Sequence, residues 1–175
     1  MCDIRYFKNA YNDYRVAAEL LKSAEMDEYY INSIAYHLQQ TVEKTLKGYL
    51  ECVGVTVPNT RAIDRLVQMS GNNGSMAVIT EWLEEHVDML TRWEVETRYN
   101  LDFRLELEKV KKSYEKIGEF LKQNGLDYSL REELQQEEVR EKLIALLPKS
   151  KKNCDSFELN CFYQIYKKRL ETAAK

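Results

Sequence analysis

Helix breakers are scarce in this chain, with two prolines and six glycines among 175 residues. They fall at wide intervals and divide the sequence into long helical segments, and no stretch reads as a strand. Histidine is just as rare, with two, and the four cysteines, Cys2, Cys52, Cys154 and Cys161, form no Cys-x-x-Cys pair. A zinc site is therefore not expected. No apolar run reaches the roughly 18 residues of a membrane span, and the opening Met-Cys-Asp-Ile-Arg-Tyr lacks the apolar core of a signal peptide. The expectation is a cytoplasmic protein with reduced thiols and no membrane partner. Excess positive charge is missing too: 26 Lys and Arg against 29 Asp and Glu give a net charge of −3, without the basic footprint of a duplex binder. The local clusters at Lys109, Lys111, Lys112 and Lys116, and at Lys149, Lys151 and Lys152, read as a solvated helix face and a loop.

Familiar catalytic constellations are likewise absent. The Gly71-Asn-Asn-Gly74 turn lacks the Gly-Lys-Ser/Thr ending of a phosphate loop and follows a helix instead of a strand. Neither a Gly-x-Ser-x-Gly elbow, a His-Glu-x-x-His pair nor a Glu-x-x-His di-iron motif occurs. Glu84, Glu85 and His86 are adjacent, and neighbouring helical positions point about 100° apart, so they do not converge on one ion. No catalytic residue, cofactor or metal is assigned.

What is present is helical periodicity. Arg5 to Glu25 carries Phe7, Tyr11, Tyr14, Ala18, Leu21 and Ala24 at three- and four-residue spacing. A second helix is expected over about Glu28 to Val53, closed by Gly54, and a short third, capped by Asn59 or Thr60, ends near Ser70. Ser75 can cap a fourth running to about Thr97, with Ile79, Trp82, Leu83, Leu90 and Trp93 as its apolar stripe and His86 buried in line with it. Asp102 can cap a fifth, stepping through Phe103, Leu107, Val110, Tyr114, Ile117 and Leu121. Beyond Gly125 two further helices open on the capping boxes Ser129-Leu-Arg-Glu132 and Asp155-Ser-Phe-Glu158. The fold predicted is all-α: an up-and-down antiparallel bundle of four to five helices over residues 1–124, with a helical appendage over 125–175.

The second helix holds the most distinctive polar pattern. At 100° per residue His37, Gln40, Glu43, Lys44 and Lys47 fall within an arc of about 120°, and Ile34, Leu38, Val42, Leu46 and Tyr49 lie opposite. Such a stripe is either a wet helix face, supported by the i, i+4 pair Glu43 and Lys47, or one wall of a polar groove. Arg98 and Tyr99 sit where a long helix stops. There Arg98 either satisfies terminal carbonyls or reaches into the groove beside Lys47 to hold a phosphate or carboxylate, with Tyr99 available to stack on a base.

The residues Ala17-Ala-Glu-Leu-Leu-Lys-Ser-Ala-Glu25, Tyr29-Tyr30 and His37-Leu-Gln-Gln-Thr-Val-Glu-Lys-Thr-Leu-Lys47 resemble the first helical hairpin of the HEPN family, whose name abbreviates higher eukaryotes and prokaryotes nucleotide-binding. Gly54 and Pro58, Thr60-Arg-Ala-Ile-Asp-Arg-Leu66, and Glu96-Thr-Arg98-Tyr99 follow in matching order, so the resemblance spans about residues 10–122. It implies a homodimeric bundle, often made beside a minimal nucleotidyltransferase as a toxin and antitoxin pair. For catalytic members it implies a metal-independent endoribonuclease with an Arg followed, after four to six residues, by His. In that chemistry a group of near-neutral pKa moves protons and a cation stabilises the phosphorane. After Arg98 those positions hold Phe103, Arg104 and Leu105, and no histidine follows His86. Thr60-Arg61-Ala62-Ile63 also departs from the Thr-His-Asp-Leu of many relatives.

The function expected is therefore binding without catalysis. The expected ligand is a nucleotide or single-stranded RNA, or a nucleotidyltransferase partner, and the residues to test are His37, Gln40, Glu43, Lys44, Lys47, Arg61, Arg98 and Tyr99. A diverged ribonuclease using Arg98 with Tyr99 or His37, and a pure helical assembly module, are the alternatives.

Overall fold

The computed structural model describes residues 3–127 and 132–173, and those residues are helical or in turns and loops, with no strand among them. The helices are α1 (Arg5–Ala24), α2 (Tyr29–Cys52), α3 (Ile63–Asn72), α4 (Glu81–Glu85), α5 (Val87–Tyr99), α6 (Leu107–Gln123), α7 (Glu132–Gln135), α8 (Glu137–Leu146) and α9 (Ser156–Ala173), with a 3-10 turn at Lys149–Lys151. Two compact units result, Met1–Phe120 and Leu121–Lys175.

In the first unit α2 is the central helix, packed chiefly on α1 and then on α5 and α3. Its apolar face, Ile34, Leu38, Val42 and Leu46, is fully buried. The face that α1 offers is Phe7, Ala10, Ala17 and Ala24; Phe7 and Ala24 belong to the face expected from periodicity, whereas its Tyr11, Tyr14, Ala18 and Leu21 are half-buried beside it. Three alanines there keep the side chains small, and Gly48 on α2 lies directly against Phe7. Together they let the two backbones approach closely. The Tyr14 ring stacks face to face on Tyr114 at 4.5 Å, pinning α6 to α1.

α2 ends at a glycine in the left-handed region, Gly54 with φ 81. There Val55 N–H bonds back to Leu50 O at 3.0 Å, and only a residue without Cβ takes that conformation freely. α3 begins later than expected. Its cap position is Ala62, and the amide of Ile63 is satisfied from across the core by Thr91 Oγ1 at 2.9 Å. Neither Asn59 nor Thr60 caps it; Thr60 Oγ1 accepts from Ala62 N at 3.2 Å inside the preceding loop.

The single fourth helix expected from Ser75 to Thr97 is two helices. Ser75 Oγ accepts from Ala77 N at 3.2 Å in a local turn, and the true cap is Thr80, whose Oγ1 accepts from Leu83 N at 3.3 Å. The break falls at His86. Its ring Nδ1, in the tautomer carrying hydrogen there, donates to Trp82 O at 2.8 Å, taking the carbonyl that an unbroken helix gives to the His86 amide. The imidazole stacks on the Trp82 ring at 4.5 Å and is half-buried. Asp102 caps nothing, since its own amide donates to Asn100 Oδ1 at 3.1 Å and α6 starts only at Leu107. Phe103 therefore lies in the loop before the helix.

In the second unit α8 packs on α7 and α9 around Leu134, Leu143, Leu147, Phe157 and Phe162. The capping box at Asp155 forms reciprocally: Glu158 N–H donates to Asp155 Oδ1 at 2.8 Å, and Asp155 N–H to Glu158 Oε2 at 3.3 Å. Ser129 of the other box and the side chain of Leu170 lie outside the described residues. Cys52 is disulfide-bonded, contrary to the expectation of reduced thiols throughout.

Candidate functional site

The polar residues singled out in the sequence fall into three groups, two of them on the stripe of α2. Toward α1, Asp13 holds both His37, whose Nδ1 lies 3.0 Å from Asp13 Oδ1, and Lys44, whose ammonium donates to Asp13 Oδ2. One carboxylate thus ties two turns of α2 to α1 and balances Lys44. Within α2 the side chain of Glu43 is buried, and it accepts from Gln39 Nε2 at 3.0 Å, Gln40 Nε2 at 3.2 Å and Lys47 Nζ at 2.8 Å. Gln39 also donates to Arg61 O at 3.2 Å, anchoring the loop before α3. A buried carboxylate of this kind is tolerable because three donors replace its water.

The third group centres on Glu94 of α5, also buried. It accepts from Arg61 Nη1 at 2.6 Å and from Arg98 Nη2, one turn further along its own helix. Arg98 Nε donates in addition to Glu94 O at 3.0 Å, so the side chain and backbone of one residue grip the guanidinium. Its Cζ lies over the rings of Tyr36 and Tyr99, at 5.6 and 4.8 Å from their centres. A guanidinium held this way has little rotational freedom left to lose on meeting an anion.

Arg98 lines a cleft of about 620 Å³ at the start of α2 and the end of α5, together with Asp27, Glu28, Tyr29, Asn32, Thr97, Asn100 and Arg104 among others. Arg104 donates to Leu101 O at 2.7 Å and Phe103 O at 3.1 Å, and no carboxylate pairs with it among the described residues. Of the eight residues expected in a site, Arg98 alone lines this cleft. Tyr99 is exposed and sits against the Arg98 guanidinium, and Arg61 joins through Glu94. His37 and Lys44 are gathered on Asp13, while Gln40, Glu43 and Lys47 satisfy one another.

A family model, the HEPN domain, matches residues 4–125. The chain belongs to the HEPN family. That membership carries a nucleotide- or RNA-related function in general terms. No curated protein and no solved structure matches the chain. In this HEPN protein the residues that sequence reasoning passed over are Asp13, Gln39, Tyr36, Glu94 and the cleft wall from Asp27 to Asn32. Glu94 carried a readable signal, an acid four residues before Arg98 on one helix. Asp13 had none, because its partners are 24 and 31 residues away. Among the described residues no group of His, Cys, Asp and Glu is placed to hold a metal ion, and no helix is long and apolar enough to cross a membrane.

Proposed function

We propose that this HEPN-family protein binds single-stranded RNA or its nucleotides at the Arg98 cleft and does not cleave them. The observation that carries the reading is the pairing of Arg98 with Arg104 in one cleft that neither His37 nor His86 lines. Arg104 follows Arg98 after five intervening residues, within the interval at which ribonucleases of the family place histidine. Two guanidiniums bind a phosphodiester well, but neither gives up a proton near neutral pH, so the arrangement favours binding over proton transfer. Tyr29, Tyr99 and Leu101 are well exposed near these arginines, and they supply apolar surface for bases or for a second copy of the chain.

A homodimer, and a nucleotidyltransferase as partner in a toxin and antitoxin pair, belong to the same reading on the strength of family resemblance. The helices after residue 124 are then an appendage to the binding unit. A diverged ribonuclease remains the competing reading and an assembly module the third.

The test is to incubate the purified chain with a labelled single-stranded oligoribonucleotide, without metal, and to follow both binding and integrity. Intact RNA in a complex lost in Arg98→Ala and weakened in Arg104→Ala is the expected result. Cleavage abolished by Arg98→Ala would sink the binding reading in favour of the enzyme, and no complex at all would favour the assembly module. Arg104→His, which restores the arginine-to-histidine spacing, should convert some binding into slow cleavage.

A further inference from the structure

The two walls of the Arg98 cleft carry opposite charge. On the α5 side the donors are the guanidiniums of Arg98 and Arg104. Asn100 is already engaged at both ends of its amide, donating to Glu96 Oε2 at 2.7 Å and accepting at Oδ1 from Asp102 N at 3.1 Å. On the α2 side the charged groups are the carboxylates of Asp27 and Glu28, which accept. Asn32 donates one Nδ2 hydrogen to Phe103 O at 3.2 Å, which leaves its carbonyl oxygen and its second amide hydrogen available. Asp27 Oδ1 already takes the Tyr29 amide at 2.9 Å. The Glu28 carboxylate has no hydrogen-bonding or ionic partner among the described residues. Tyr29, directly after it, is 80% exposed and lines the same cleft.

A ligand that fits both walls carries an anionic group at one end and a pair of parallel N–H donors at the other. Among the RNA bases only guanine presents such a pair, N1–H beside the N2 amino group, and a carboxylate accepts both at once. Adenine and cytosine present one donor beside an acceptor that a carboxylate repels. Uracil's single N–H is flanked by two carbonyls. A cleft of about 620 Å³ has room for a mononucleotide.

We propose, building on the binding reading above, that the cleft selects guanine nucleotides. Arg98 and Arg104 hold the phosphate, Glu28 reads the N1–H and N2 edge, and Tyr29 provides the stacking face.

Isothermal titration of the full chain with the four ribonucleoside 5′-monophosphates tests this. GMP should bind about tenfold more tightly than AMP, CMP or UMP, in line with the discrimination of one two-bond base contact. In Glu28→Gln the preference should vanish or turn toward AMP, because an amide offers the donor and acceptor that adenine matches. Tyr29→Ala should weaken all four by roughly fivefold or more, since stacking is tolerant of base identity. Arg104→Ala should reduce GMP binding toward that of guanosine. Binding of all four alike, or a GMP preference that survives Glu28→Gln, would overturn guanine selection and leave the binding function standing. Failure of every nucleotide to bind a folded chain would overturn guanine selection, and failure of the oligoribonucleotide as well would overturn both.

Discussion

Replacing Gly48 by alanine sets two opposed effects against each other at one position. Inside a helix an alanine is favoured over glycine by about 1 kcal/mol, so propensity alone predicts a more stable protein. Tertiary contact predicts the reverse. A Cβ at position 48 would lie 2.7 Å from Phe7 Cε1 and 3.0 Å from both Phe7 Cζ and Tyr6 Cβ. Comfortable carbon contacts are about 3.5–4.0 Å. The Phe7 ring has nowhere to swing: it is fully buried and lies 4.8 Å, centre to centre, from the ring of Tyr49, itself buried. Relief therefore means separating α1 from α2 along their main interface. Overpacking of this kind costs about 1–3 kcal/mol, and it outweighs the propensity gain. The net expectation is a loss of up to about 2 kcal/mol, or up to roughly 6 °C in Tm for a chain of this size.

Circular dichroism melts measure it, with Gly71→Ala alongside. Gly71 is also helical, yet nothing lies within 4 Å of a Cβ there, so that change should raise Tm slightly. Adding Phe7→Leu to Gly48→Ala should recover part of the loss, a coupling that two independent changes would not show. A Tm for Gly48→Ala that rises in step with Gly71→Ala would refute the close approach of α1 and α2.

Two further changes test the polar interior. Lys47→Ala leaves the buried Glu43 carboxylate with its glutamine donors alone, and should destabilise by about 2–3 kcal/mol in urea titrations. A loss below 0.5 kcal/mol would mean that Glu43 and Lys47 face water. Burial first, and then its hydrogen bond at Tyr114, push the Tyr14 hydroxyl well above its ordinary value of 10.0. A raised value means that the unfolded chain releases this proton before the folded one does. Its contribution is then complete below about pH 10 and declines as pH rises beyond it. Tyr14→Phe should flatten that part of the alkaline fall, read from urea midpoints between about pH 8 and pH 11.

Much of the fold was legible because helices are local. The periodicity of Ile34, Leu38, Val42 and Leu46 names the buried face of α2 without knowledge of any neighbour, and the Asp155 capping box marks the start of α9 from four residues. The errors occur where a distant or side-chain partner replaces a local one. α4 and α5 separate because a histidine ring takes a carbonyl, and α3 starts at Ile63 because Thr91 supplies the cap. Neither event leaves a trace in the spacing of apolar residues.

The candidate site divides the same way. From the sequence alone came the all-helical class, the family, the amphipathic second helix, and the absence of histidine after Arg98, since each depends on residues close together in the chain. Tertiary structure decided which polar residues are internal. Glu43 turned inward because Gln39, Gln40 and Lys47 meet it, Lys44 turned to Asp13, and Arg98 was fixed by Glu94 and two rings at the edge of a cleft. A helical wheel shows that side chains share a face. What lies opposite that face depends on how helices far apart in sequence pack, and that packing separates a self-satisfied cluster from a surface open to a ligand.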